Sequence, residues 1–82
     1  MDDSKLLERI AINPKVLVGK PVIRGTCLTV QHILGLLANG MIIYEIPQEY
    51  TGLTREDVLA SILLAKESLE TTTFALLSSE GV

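Results

Sequence analysis

Tryptophan is absent from this 82-residue chain, which has one phenylalanine, two tyrosines and one cysteine. With aromatics at 4% and hydrophobic residues at 48%, the core has to be aliphatic, which favours packed helices. A lone cysteine excludes an intramolecular disulfide framework and fits a reducing compartment. No apolar run reaches the roughly 18 residues that a membrane span requires, and no cationic start leads into an apolar run with a cleavage site. A soluble cytoplasmic protein with no membrane partner is therefore expected. One domain is expected at this length, and such a chain buries only about 60 to 65% of the surface its unfolded form exposes. Association, most simply as a two-fold homodimer, would stabilise it.

Acid is also missing from one stretch, since no Asp or Glu occurs between residues 9 and 44. Arg9, Lys15, Lys20 and Arg24 thus form an arm of charge +4 in a chain of net charge −3. Residues 1–8 carry −2, and everything after the arm carries −5. The pattern is that of an acidic helical body with a basic arm.

Within the arm, Gly19 and Gly25 bracket a short apolar run. Both tolerate φ > 0, and Pro21 removes a ladder donor, so residues 22–24 read as a short edge strand between two turns. A second β-like run at 9–12 ends at Asn13-Pro14, a turn-initiating pair, and the two runs can pair.

Helical periodicity begins after Thr29, a capping residue. Val30, Ile33, Leu34 and Leu37 recur at helical spacing, and Asn39-Gly40 supplies the end, which predicts a helix over 30–39. Pro47 would break an intrahelical bond in a helix started near Ile43, so a short helix is placed at 47–50. After the turn at 51–53, Thr54 caps a long helix over 55–70 with Asp57 in its first turn. Val58, Ile62, Ala65 and Leu69 are its expected buried stripe, packed with Ile33, Leu34, Leu37 and Ile46. Its expected outward stripe is Glu56, Ala60, Leu63 or Leu64, and Glu67. Three threonines at 71–73 precede the apolar run 74–77, whose conformation stays open. The organisation expected is a flexible N-terminus at 1–8, one domain at 9–70 and a tail at 71–82.

Catalytic constellations are weak. Pro21 follows Lys20, so Gly19-Lys20 is not a phosphate loop of the Walker type. Cys27 and His32 have no third orienting group, so Cys27 is expected as a buried small hydrophobe and His32 as a surface polar residue. A zinc site lacks ligands, and Glu45, Glu49, Glu56 and Asp57 read as helix-terminal and surface charges rather than a metal cluster. No catalysis and no cofactor are expected. The candidate DNA contacts are Arg9, Lys15, Lys20, Arg24 and Arg55. The candidate partner contacts are Leu63, Leu64, Glu67, Leu69, Phe74 and Leu77. Because the expected outward stripe of the last helix carries no cation, a surface for protein partners is favoured over a DNA-reading one.

Two helices joined by a tight glycine-containing turn, with a helix before them, make the pattern of a three-helix helix-turn-helix domain. The strings Arg9-Ile-Ala-Ile-Asn-Pro, Gly19-Lys-Pro-Val-Ile-Arg-Gly-Thr, Leu36-Leu-Ala-Asn-Gly and Leu53-Thr-Arg-Glu-Asp-Val, in this order, resemble the domain of unknown function 433 family over roughly residues 9–70. Cys27 stands where that family usually has arginine, and Thr29 where it usually has proline. The resemblance implies a mainly α, homeodomain-like three-helix bundle with a short N-terminal β element. It further implies an antitoxin of a bacterial type II toxin-antitoxin pair, whose partner is a PIN-like nuclease toxin. The alternative reading is a helix-turn-helix transcriptional regulator that binds DNA itself.

Overall fold

The computed structural model of the chain describes residues 3–15 and 19–70. They form four helices and one two-stranded sheet, in the order α1 (Asp3–Leu7), β1 (Ile10–Ala11), β2 (Val22–Ile23), α2 (Val30–Ala38), α3 (Glu45–Glu49) and α4 (Arg55–Glu70). The fold is mainly helical, as the aliphatic composition predicts, with a small N-terminal β element at the two β-like runs. None of the described helices is long and apolar enough to cross a membrane.

The expected strand pairing forms. β1 and β2 are antiparallel, with Ile10 opposite Ile23 and Ala11 opposite Val22, and the Arg24 amide donates to the Arg9 carbonyl at 2.8 Å. The strand then turns sharply, because Gly25 takes φ +84°. The Thr26 amide donates to the Ile23 carbonyl at 2.9 Å, and the Thr26 hydroxyl both donates to that carbonyl and accepts from the Leu28 amide. Glycine is suited to this position because a Cβ disfavours the left-handed region. Backbone bonds from Ile23 to Leu28 and from Val30 to Pro21 carry the chain directly into α2.

Both ends of α2 are fixed by the residues expected to do so. Thr29 is extended, and its hydroxyl accepts from the His32 amide at 3.0 Å, the geometry of an N-cap. At the other end Gly40 takes φ +99°. Its amide donates to Leu37 and the Met41 amide to Leu36, both at 3.1 Å, which is the pair of bonds that defines a Schellman ending.

α3 begins two residues earlier than expected, at Glu45 rather than Pro47. Pro47 therefore lies in the first turn, where an amide has no intrahelical acceptor to lose. The Glu45 carboxylate accepts from the Ile42 amide at 2.8 Å and closes the turn that leads into α3. α4 starts on a capping box: Thr54 Oγ1 accepts from the Asp57 amide at 3.2 Å, and Asp57 Oδ2 accepts from the Thr54 amide at 2.9 Å.

Ile23, Ile33, Ile46, Leu53 and Val58 form one fully aliphatic core cluster drawn from β2, α2, α3, the turn before α4, and α4 itself. Two expectations fail around it. Residues 3–7, expected within a flexible N-terminus, form α1, which buries Leu6 and packs on α4. The helix α4 is also rotated from its expected orientation. Asp57, Val58, Ala60 and Ser61 are its buried residues, while Ile62 is 38% and Leu69 52% exposed. The buried face thus lies about a quarter turn from the expected one, at 3.6 residues per turn. Ala60 and Ser61 are small residues, which lets this buried face of α4 approach its neighbours closely. The Ser61 hydroxyl is satisfied by donating to the Asp57 carbonyl at 3.1 Å.

Candidate functional site

The two halves of α4 border two different concavities. Its first turn forms one wall of a polar cleft of about 670 Å³, facing α1 and the start of β1. Arg9 and Arg24 line this cleft together with Lys5, Glu8, Thr54 and Asp57. The centre of the wall is an ion pair that the sequence reading missed: Arg9 Nη1 lies 3.1 Å from Asp57 Oδ1, and Asp57 is only 5% exposed. The same guanidinium nitrogen donates to Thr54 Oγ1 at 3.3 Å. Asp57 therefore closes the capping box with one carboxylate oxygen and holds Arg9 with the other. This network ties the residue just before β1 to the start of α4 across 48 positions of sequence.

Arg24 lines the same cleft. Its Nε donates to the Glu8 carbonyl at 2.8 Å and its Nη2 to the Ile10 carbonyl at 3.1 Å. Two of the arm's four cations are thus occupied in holding the sheet and α4 together. Lys15 and Lys20 are exposed and outside the cleft, and so is Arg55. The five candidate DNA contacts do not share one concavity.

The second concavity is a groove of about 300 Å³ between α2 and the C-terminal half of α4. Val30 and Leu34 of α2 and Leu64, Ala65 and Leu69 of α4 line it, together with Pro21. Its remaining lining residues, Gln31 and Ser68, are uncharged, so the groove carries no formal charge. Of the expected partner contacts, Leu64 and Leu69 lie in this groove. Leu63 and Glu67 are half-buried and outside its lining, and Phe74 and Leu77 lie outside the described residues.

The rotation of α4 also changes its outward stripe. Ala60, expected to face solvent, is fully buried, and the exposed positions are Arg55, Ile62, Lys66 and the last three residues of the helix. Lys66 pairs with Glu70 one turn on, at 3.7 Å. The outward face therefore does carry cations.

The minor candidates resolve as follows. Cys27 is exposed, not buried as expected, and free. It sits on the turn between Thr26 and Leu28, whose backbone and hydroxyl bonds turn the chain without needing its side chain. His32 is exposed as expected, with Nε2 3.3 Å from the Tyr50 hydroxyl and the two rings edge to face at 5.7 Å. No group of three or more metal-ligating side chains occurs among the described residues.

The family described as "Protein of unknown function (DUF433)" matches residues 10–65, from β1 to the middle of α4. The chain belongs to this family. The DUF433 match contains the β element, the Gly25-Thr26 turn, α2, α3 and the capping box of α4. α1 with Lys5, and the groove residues Ser68 and Leu69, lie outside the DUF433 segment. No curated protein and no solved structure matches the chain.

Proposed function

We propose that this DUF433 chain is a non-catalytic interaction protein that holds its partner along the α2–α4 groove, in the manner of an antitoxin that neutralises a PIN-like nuclease toxin. The observation that carries the reading is the uncharged groove, continuous with a Leu69 that is 52% exposed. An apolar surface left open in so small a domain marks a place where another surface fits. A groove between two helices accepts the apolar face of a third helix, with anchors at helical spacing. The homeodomain-like arrangement of α2, α3 and α4 is part of the same proposal, and a second copy of the chain is the other natural occupant of this face.

The test is co-expression with the product of the neighbouring open reading frame, which this reading expects to be a toxic nuclease. Leu64→Asp and Leu69→Asp place a charge in the groove, whereas Ile42→Asp places one at another exposed apolar position, 56% exposed. The first two variants are expected to lose protection from growth arrest and the third to keep it. Equal protection by all three would reject the groove as the docking face.

One observation favours the second reading, a helix-turn-helix that binds DNA. The outward face of α4 carries Arg55 and Lys66 on either side of the exposed Ile62, so the helix that would enter a groove is not acidic throughout. Glu45 and Glu49 on α3 and the net charge of −3 weigh against it. Binding to promoter duplex that falls steeply with added salt, and that is weakened by Arg55→Gln, is the expected signature of this second reading.

A further inference from the structure

The polar cleft at the start of α4 has a chemistry of its own, independent of the α2–α4 groove. Arg9 and Asp57 neutralise one another within it. Arg24 is different: two backbone carbonyls orient its guanidinium, and none of the carboxylates among the described residues lies within ion-pair distance of it. A guanidinium has five N–H donors, so three remain after those two bonds. Thr54 supplies another donor. Its hydroxyl oxygen accepts from Arg9 Nη1 and from the Asp57 amide, which occupies both lone pairs and leaves its single proton to donate. Lys5, exposed on α1, lines the same cleft with no ion pair to a described carboxylate. Glu8 is the one opposing charge that is not paired, so the cleft retains a surplus of one positive charge in a chain of net −3.

We infer that this cleft is a binding site for a phosphate group, held by the free N–H donors of Arg24, the ammonium of Lys5 and the hydroxyl of Thr54. Charged donors on a tetrahedral oxyanion give short, strong hydrogen bonds, and a guanidinium fixed in orientation loses little freedom on engaging one. A surplus of one charge suits one phosphate group at a time, whether it stands alone or is part of a larger molecule. The phosphate can belong to a nucleotide or to the backbone of a nucleic acid, since both present the same oxyanion.

The test is an amide chemical-shift titration of the full chain with inorganic phosphate, AMP and a short DNA duplex, each repeated on three variants. Lys5→Gln removes a charge from an exposed side chain and is expected to weaken binding about tenfold, the usual effect of losing one charge-assisted bond. Thr54→Ser keeps the hydroxyl and is expected to bind as the parent does. Lys20→Gln removes a charge outside the cleft and is expected to change nothing. Saturable shifts at Gly52, Thr54 and Arg24 with phosphate or AMP assign a small ligand. The same shifts with the duplex, at concentrations where phosphate and AMP produce none, assign a nucleic-acid backbone. Absence of shifts with all three, or shifts equal in Lys5→Gln and Lys20→Gln, overturns the inference. Because the groove is untouched by these variants, protection from a nuclease partner serves as a separate readout.

Discussion

The two halves of α4 are built on opposite principles. Its first two turns hold all of its buried residues: Asp57 joins a capping box to an ion pair with Arg9, and Ser61 is buried with its hydroxyl bonded. Its last two turns border a groove shared with α2 that stays open. The difference teaches that polarity and burial have been exchanged along one helix. The polar residues are inside where their partners are within reach, and the apolar residues are outside where nothing in the described chain covers them. Stability is expected to reside in the first half and docking of a protein partner in the second.

The comparison is broken most forcefully in the core that anchors the first half. Ile46 is fully buried among Ile23, Ile33, Leu53 and Val58. Ile46→Ala removes three carbons from a site enclosed by four elements and is expected to cost about 2 to 5 kcal/mol. Urea denaturation measures it, and a loss under about 1 kcal/mol would mean that the cluster does not hold α3 against α4.

Next in size is Asp57→Ala. It removes the N3 half of the capping box and the partner of Arg9, and leaves a guanidinium 38% exposed without its carboxylate. Adding a cap worth about 1 kcal/mol to a charge-assisted bond of similar size gives an expected loss of about 2 kcal/mol. Arg9→Ala is expected to cost less, because the capping box survives it. A double-mutant cycle separates the two contributions, and a coupling indistinguishable from zero would show that the 3.1 Å pair contributes only geometry.

How far this was legible in the sequence follows the range of the interactions. The local signals were read correctly. Thr29 caps α2, Asn39-Gly40 ends it, Thr54 caps α4, and the β-like runs around Ile10 and Val22 pair. Each depends on residues within a few positions of one another or on a turn with strict backbone demands. The ring of strings around Gly25-Thr26 was enough to identify the family. The orientation of α4 was not legible, because hydropathy assigns the core to Ile62 and Leu69, whereas the chain buries Asp57, Ala60 and Ser61. That choice depends on Arg9, 48 positions away, and on α1, whose five residues are too few for periodicity to register. The same rotation hid the site. Arg9 and Arg24 read as a solvated basic arm until the fold supplies Asp57 to one and two carbonyls to the other. The groove is half legible: Leu64 and Leu69 stand out as candidate partner contacts, but Val30 and Leu34 read only as the apolar face of α2 and not as the groove's other wall.

The smallest expected effect is the sharpest test of that rotation. If the hydropathy stripe faced the core, Ile62→Ala would cost as much as Ile46→Ala. With Ile62 at 38% and Leu69 at 52% exposure, each alanine variant is instead expected to lose less than about 1 kcal/mol, as substitutions near the surface do. The measurement gains force when it is made at two protein concentrations. A face left open in the monomer has nothing to lose, so the small cost of Leu69→Ala stays constant on dilution. A face covered by a second copy contributes through mass action, and its loss grows as concentration rises above the dissociation constant. A cost near zero at low concentration that increases at high concentration would assign the open half of α4 to self-association. A cost of 2 kcal/mol or more for Ile62→Ala at every concentration, the usual figure for a cavity in a core, would instead return Ile62 to the interior and reject the rotated helix.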